Sequence, residues 1–148
     1  MMGECEIRRW LLLSTLASRT QNKPEALLGS CLLRARFCEL LATLVHLPAN
    51  DLFLTGLFSL FDVVLELPKE EIVNSVALPR EVARALLGEG TLGQCVALVE
   101  AYERGAWERF EKLSSALRIP PQQLPLVYRD ALQWVDQILS MERHLGIR

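Results

Sequence analysis

The segment TGLFSLFDVV, residues 55–64, places the hydroxyl of Ser59 and the carboxylate of Asp62 in an otherwise apolar run. A serine hydroxyl can act as a nucleophile, but it then needs a general base such as histidine beside it. The two histidines of the chain, His46 and His144, are distant from this segment and from each other in sequence. The segment is therefore either a buried helix with one polar stripe or a catalytic helix that has lost its chemistry.

Two pairs of acids have the residue types that general acid–base catalysis requires, namely Glu70/Glu71 and Glu100/Glu103. Neither pair has a third group nearby in sequence that would orient it or share a proton, so we assign no catalytic residue. The glycine-rich segment GEGTLG, residues 88–93, contains no lysine and does not follow a predicted strand. It therefore does not indicate a phosphate-binding loop.

The four cysteines are Cys5, Cys31, Cys38 and Cys95, and none forms a CxxC pair. If Cys31 and Cys38 share a helix, their separation along its axis is ~10 Å, which is too long for a disulfide. We expect free, mostly buried thiols, and neither a bound metal nor another cofactor.

The composition limits the classes of function. With 148 residues, a single domain, residues 1–148, is expected. The net charge is −2 and the basic residues are scattered, which does not favour nucleic-acid binding. No apolar run approaches the ~20 residues of a membrane span, and the N-terminus does not read as a secretory signal, so we expect a cytoplasmic protein that does not bind membranes.

Hydrophobic periodicity predicts helices throughout, since hairpin turns and sustained alternation of apolar and polar residues are missing. The fold class is therefore all-α. Predicted helices cover residues 5–19, 24–46 and 51–66, two short segments that follow LPKEE and LPREV (67–71 and 78–82), and residues 91–104, 106–117 and 124–144.

Charged residues lie on two opposite faces of the predicted helix 24–46. One face is a plausible solvent stripe formed by Glu25, Arg36, Glu39 and Thr43. The other carries Ser30 and Arg34 among leucines, and both faces cannot be wet in a segment this apolar. Arg34 is therefore predicted to be a buried charge that needs a carboxylate partner. In the helix 51–66, by contrast, the stripe of Thr55, Ser59, Asp62 and Glu66 can face water.

These segments resemble a known domain. LLGSCLLRARFCELLA (27–42) followed by FLTGLFSLFD (53–62) is similar to the HDOD domain, a modified HD/HD-GYP domain of bacterial signalling proteins. The segment LPREVARALLGEGTLGQCVALVEAYERGAW (78–107) resembles the version found C-terminal to EAL domains in YuxH-like cyclic-di-GMP signalling proteins. The resemblance implies a single HD-like domain of about seven to nine helices. Since such domains carry further helices upstream of an LRRW-like segment, here IRRW at 7–10, it also implies that the first helices are lacking.

The resemblance also implies a lost metal site. Metal-dependent HD domains carry a motif like GLLHDIG, in which histidine and aspartate bind metal, whereas this chain has GLFSLFD at 56–62. Ser59 then stands at the histidine position and Leu60 at the aspartate position, and Ser30 stands at the position of an earlier histidine. Leucine has no donor atom and a serine hydroxyl is a poor ligand, so the metal-dependent phosphohydrolase mechanism is expected to be absent.

The two central helices of HD domains converge at the metal, which suggests a replacement for it. We predict that Arg34 and Asp62 form a buried ion pair near the vacated site. The alternative is that Asp62 is exposed and that Arg34 reaches water or helix-terminal carbonyls.

Aromatic residues cluster around a predicted helix break at Gly105. Tyr102, Trp107 and Phe110 are predicted to form a hydrophobic corner between two helices and a possible interaction surface, with ligand stacking as the alternative. In the last helix, Leu132, Val135, Ile138 and Leu139 recur at helical spacing, which predicts core or an interface.

The resemblance implies a non-catalytic signal-transduction domain, not an enzyme, that acts through protein contacts in a bacterial cyclic-di-GMP pathway; the residues themselves indicate only the loss of metal ligands. The expected partner is an EAL-type domain or another signalling protein, and a homo-oligomer remains open. The alternative functions are a residual phosphohydrolase and a nucleotide-binding regulatory domain.

Overall fold

The computed structural model describes residues 25–145, with side chains over residues 27–141. The predicted helix 5–19, Cys5 and the side chain of His144 lie outside the described residues. Within the described range the α-helices are α1 (Glu25–Leu40), α2 (Ala42–Val45), α3 (Ala49–Phe58), α4 (Phe61–Leu65), α5 (Lys69–Ser75), α6 (Arg80–Leu86), α7 (Gly90–Arg104), α8 (Trp107–Leu117) and α9 (Leu124–Leu145), with a 3₁₀ turn at Pro121–Gln123 before α9.

The crossing of α1 and α3 is the centre of the fold. A Cβ atom added to Gly56 on α3 would lie 2.7 Å from the carbonyl oxygen of Arg34 and 2.9 Å from the Cα of Ala35. Both distances are shorter than real contacts, so only glycine lets the two backbones approach this closely. Phe37 on α1 and Phe53 on α3 are completely buried.

The remaining helices pack around this pair. Helices α6 and α7 contact α3, α8 packs on α7, and α9 packs along α1. Several helices end in a residue with left-handed backbone geometry, including His46 after α2 (φ 58°) and Gly105 after α7 (φ 69°). Such residues satisfy the last carbonyls of a helix and turn the chain, which lets short helices wrap one core. The described chain is a single all-α domain, as the sequence predicts.

The predicted helix 51–66 is interrupted. Helix α3 ends at Phe58, and α4 begins at Phe61 after Leu60, whose φ is −107° and ψ is 1°. The hydroxyl of Ser59 donates a 2.6 Å hydrogen bond to the carbonyl oxygen of Gly56. Serine hydroxyls that bond back to helix carbonyls compete with the backbone ladder and bend or end helices. The prediction of one continuous helix with one polar stripe is therefore wrong.

Two predicted solvent stripes are also wrong in part. Thr55 and Ser59 are buried, 0% and 3% exposed, and the hydroxyl of Thr55 donates to the carbonyl oxygen of Asp51 at 2.7 Å. On α1, Glu39 is buried and forms an ion pair with Arg36. The guanidinium of Arg36 lies 5.6 Å from the ring centroid of Trp134, because α9 covers this face of α1.

The predicted apolar face of the last helix is only partly buried. Val135 is buried against the core, Ile138 and Leu139 are half-buried, and Leu132 is 40% exposed. Within residues 25–145, no single helix is both long enough and apolar enough to cross a membrane. The helices Arg80–Leu86 and Gly90–Arg104, which are bent relative to each other, meet both criteria only when they are taken together.

Candidate functional site

A buried guanidinium joins three helical elements. Arg34 on α1 is 7% exposed, which confirms the prediction of a buried charge. Its Nε and Nη2 atoms donate to the two carboxylate oxygens of Glu103 on α7, at 3.2 and 3.1 Å. Nη1 donates to Oγ of Ser59, at 3.3 Å, immediately after α3. We call Arg34, Ser59, Glu100 and Glu103 the Arg34 cluster.

Glu100 completes the charge balance of the Arg34 cluster. Its Oε1 lies 3.7 Å from Nη1 of Arg34, one helical turn before Glu103 on α7. Burial alone would lower the pKa of Arg34, but its hydrogen bonds to Glu103 and the charges of Glu103 and Glu100 outweigh burial and raise the pKa above its ordinary value. The side chain is therefore a permanent cation held between two carboxylates.

The predicted ion pair of Arg34 with Asp62 is wrong. The guanidinium is directed to α7 instead, while Asp62 lies half-buried in the first turn of α4. Oδ1 of Asp62 has no hydrogen-bond partner among the described residues. The prediction placed Asp62 one turn beyond Ser59 on a continuous helix, and the break at Ser59 and Leu60 removes that alignment.

The three positions that the HD resemblance assigns to metal ligands are occupied by groups that do not fit a metal ion. Ser59 is buried, with its proton committed to the carbonyl oxygen of Gly56 and its oxygen accepting from Arg34. Leu60 has no donor atom and lies half-buried between α3 and α4. Ser30 is exposed on α1, so it does not share the environment of Arg34.

No alternative metal site is present in the described part of the chain. There, no three His, Cys, Asp or Glu side chains come together in a group that could hold a metal ion. Cys31, Cys38 and Cys95 are free and buried, as predicted. Burial raises the pKa of the Cys31 and Cys95 thiols to about 11 and raises that of Cys38 further, so all three are protonated at neutral pH.

The predicted aromatic corner is assembled. The ring centroids of Tyr102 and Trp107 are 5.9 Å apart, those of Tyr102 and Phe110 are 5.8 Å apart, and those of Trp107 and Phe110 are 5.8 Å apart. Gly105 breaks the helix between them, as expected. Phe110 is buried, whereas Trp107 is 56% exposed, so the corner presents one large aromatic surface to solvent. Its role in an interaction stays a prediction.

The sequence reasoning missed the carboxylate partners of Arg34. Glu100 and Glu103 were considered only as a catalytic pair, although two acids three residues apart in the apolar run CVALVEAYE lie on one helix face. A buried arginine with no acid of its own nearby could have been matched to this face. Whether Arg34 pairs with this face or with Asp62, however, depends on how α7 crosses α1.

The chain is similar to two curated bacterial proteins. It is 30% identical over 140 residues, 93% of its length, to the cyclic di-GMP phosphodiesterase CdgJ of Vibrio cholerae serotype O1. It is 31% identical over 145 residues, 95% of its length, to the uncharacterized protein YuxH of Bacillus subtilis. The matches cover 32% and 35% of those proteins, so the chain spans about a third of their length. No protein-family profile matches the chain, and no solved structure does.

Proposed function

We propose that this chain is a non-catalytic signal-transduction domain of HDOD type that acts through protein contacts in a bacterial cyclic-di-GMP pathway. Similarity to CdgJ over most of the chain supports the pathway, because the name of that relative gives cyclic di-GMP as its substrate. The resemblance of the central segments to HDOD domains supports the domain type. The expected partner is an EAL-type domain.

One observation carries the proposal that this domain does not use a metal. The guanidinium of Arg34 lies 3.3 Å from Oγ of Ser59, the position that the HD resemblance assigns to a metal-binding histidine. A divalent cation at that position would be repelled by this guanidinium, which takes its place beside Ser59. Glu103, which could otherwise attract a cation, is bonded to the same guanidinium.

The aromatic corner is the proposed contact surface for the EAL-type partner. Trp107 is 56% exposed, and a depression of about 440 Å³ lies beside it, lined by Ala106, Trp107, Glu108, Arg109 and Lys112. Tryptophan and arginine are the residues that most often dominate the binding energy of protein interfaces. Trp107 packs on Tyr102 of α7, the helix that carries the carboxylates of the Arg34 cluster.

The contact role is tested with EAL-type phosphodiesterases of the source organism. Cyclic di-GMP hydrolysis is measured with and without the purified domain, for the native chain, for Trp107→Ala and for the control Leu126→Ala. Leu126 is 54% exposed on α9, so the control removes an equally exposed apolar group elsewhere. We expect the native chain and Leu126→Ala to change the hydrolysis rate and Trp107→Ala to lose the effect. The contact proposal fails if no EAL enzyme responds, or if both variants behave alike.

The second candidate is a residual phosphohydrolase, which the similarity to CdgJ, named as a cyclic di-GMP phosphodiesterase, favours. Elemental analysis of purified protein, after growth with added iron, manganese and zinc, separates the two candidates. We expect metal contents far below one equivalent and no hydrolysis of cyclic di-GMP by the chain alone. A stoichiometric metal, together with hydrolysis that Arg34→Met alters, would overturn the non-catalytic assignment.

A further inference from the structure

A small cleft lies directly beside the Arg34 cluster. It has a volume of about 140 Å³ and is open to solvent. Ser59 and Glu100 of the Arg34 cluster line it, together with Gly88 and Gly93 at the junction of α6 and α7. Lys69, at the first residue of α5, and Arg109, on α8, complete its polar lining. The cleft is therefore formed where four different helices meet around the end of α3.

The two cations of the lining, Lys69 and Arg109, have no carboxylate partner among the described side chains, in contrast to Arg84 and Lys112. Arg84 pairs with Glu81 and Glu89, and Lys112 pairs with Glu108. Within the part of the chain whose side chains are described, neither Lys69 nor Arg109 has a carboxylate oxygen within 4.0 Å. Two unpaired cations that line one cleft favour the binding of an anion in it.

The acidic groups near the cleft do not cancel this charge. Glu100 is the carboxylate in the lining, and it lies 3.7 Å from the guanidinium of Arg34. Glu103 is bonded to the same guanidinium through both oxygens. The lining itself therefore carries two cations, Lys69 and Arg109, and one carboxylate, Glu100, which leaves a surplus of one positive charge. Ser59 forms part of the floor, but its proton is already donated to Gly56.

The volume of the cleft limits the size of its ligand. About 140 Å³ holds roughly four to five waters at ~30 Å³ each. Pockets for drug-sized molecules have volumes of ~300–1,000 Å³, so a whole nucleotide or a cyclic dinucleotide does not fit. A single tetrahedral oxyanion does, and its oxygens can accept from an ammonium and a guanidinium at once.

We infer that this cleft is a binding site for one phosphate-class oxyanion, held by Lys69 and Arg109. The anion is either free phosphate or the terminal phosphoryl group of a larger molecule whose remainder stays in solvent. The inference is independent of the proposed signalling role, since it depends on the charges and the volume of the cleft alone.

The test is a titration of the ¹⁵N-labelled chain with sodium phosphate at pH 7 and constant ionic strength, followed by the amide resonances of Gly88 and Gly93. We expect saturable shifts of these amides with a dissociation constant of about 1–10 mM. Lys69→Gln and Arg109→Gln should each weaken binding about tenfold, because each removes one charge-assisted hydrogen bond. Ala97→Leu, which fills the cleft and keeps both cations, should also weaken it.

The matched control is Lys112→Gln, on the same helix as Arg109 and already paired with Glu108. It removes the same charge but should leave the titration unchanged. Shifts that do not saturate, that spread over the whole surface, or that decrease equally in Lys112→Gln would overturn the site. A second series with glycerol phosphate and adenosine monophosphate identifies the source: saturable binding of phosphate but of neither ester indicates the free ion, and equal binding of the esters indicates a phosphoryl group of a larger molecule.

Discussion

Glu103→Gln and Arg34→Met, which each remove one partner of the Arg34–Glu103 pair, should lower the free energy of unfolding of the domain by different amounts. The Arg34 side chain is 8% exposed, whereas that of Glu103 is 25% exposed. Glu103→Gln leaves the buried guanidinium with Glu100, at 3.7 Å, as its remaining carboxylate and replaces two charge-assisted hydrogen bonds by at most a neutral one. Breaking a fully buried pair costs ~3–5 kcal/mol, and the partial exposure of Glu103 together with the remaining Glu100 reduces this to about 2–3 kcal/mol.

Arg34→Met should cost less. Methionine retains an apolar stem at this buried position, and the two carboxylates that the substitution leaves behind are 22% and 25% exposed, so water can reach them. We expect a loss of about 1–2 kcal/mol from their repulsion and from the lost hydrogen bonds. Glu103→Gln should therefore be more destabilising than Arg34→Met, because the buried cation that it leaves behind cannot be rehydrated.

A double-mutant cycle measures the pair itself. Urea unfolding of the native chain, Arg34→Met, Glu103→Gln and the double variant, followed by far-ultraviolet circular dichroism, gives four free energies of unfolding. We expect a coupling energy of about 1.5–2 kcal/mol, since two charge-assisted hydrogen bonds are involved.

The control cycle is Arg84→Met with Glu81→Gln, an arginine–glutamate pair at 3.5 Å whose side chains are 45% and 58% exposed. Its coupling energy should stay below ~0.5 kcal/mol. If the Arg34–Glu103 coupling is no larger than that of the control, or if Arg34→Met costs more than Glu103→Gln, the assignment of Arg34 as a buried cation held by α7 is wrong.

The close crossing of α1 and α3 and the buried thiols lead to two further predictions. Gly56→Ala should lower the free energy of unfolding by about 2–3 kcal/mol because its Cβ would meet backbone atoms at 2.7 and 2.9 Å. The control Gly29→Ala, whose nearest contact is at 3.9 Å, should stabilise α1 by ~0.5–1 kcal/mol. Equal urea midpoints for the two variants would contradict the close approach of α1 and α3. Since burial raises the pKa of Cys31 and Cys95 from 9.0 to about 11, the folded state holds protons that the unfolded state has lost between those values. The free energy of unfolding should therefore decrease from pH 9 to pH 11 by about 1.4 kcal/mol per pH unit for each thiol. Cys95→Ala should reduce this slope. An unchanged slope would show that burial does not keep the Cys95 thiol protonated over this range.

Local features of the chain were sufficient to predict the helical class, the break at Gly105 and the burial of Arg34. Each depends on groups close together in sequence: apolar periodicity, a glycine that adopts positive φ, and a charge surrounded by leucines on one helix face. The contact between Tyr102, Trp107 and Phe110 belongs to the same class, because these rings are only a few residues apart across that break.

The partner of Arg34 was decided by tertiary structure. Asp62 and Glu103 were both acids at plausible helix positions, and a break of two residues after Phe58 together with the crossing of α7 over α1 selected Glu103. The burial of Thr55, Ser59 and Glu39 was decided in the same way, by which helix covers which face. Sequence by itself therefore determined which residues could not be left in water, and only the packing of distant helices determined what each of them meets. The physical reason is that periodicity depends on neighbours along the chain, whereas hydrogen bonds and ion pairs depend on distances of about 3 Å between segments far apart in it.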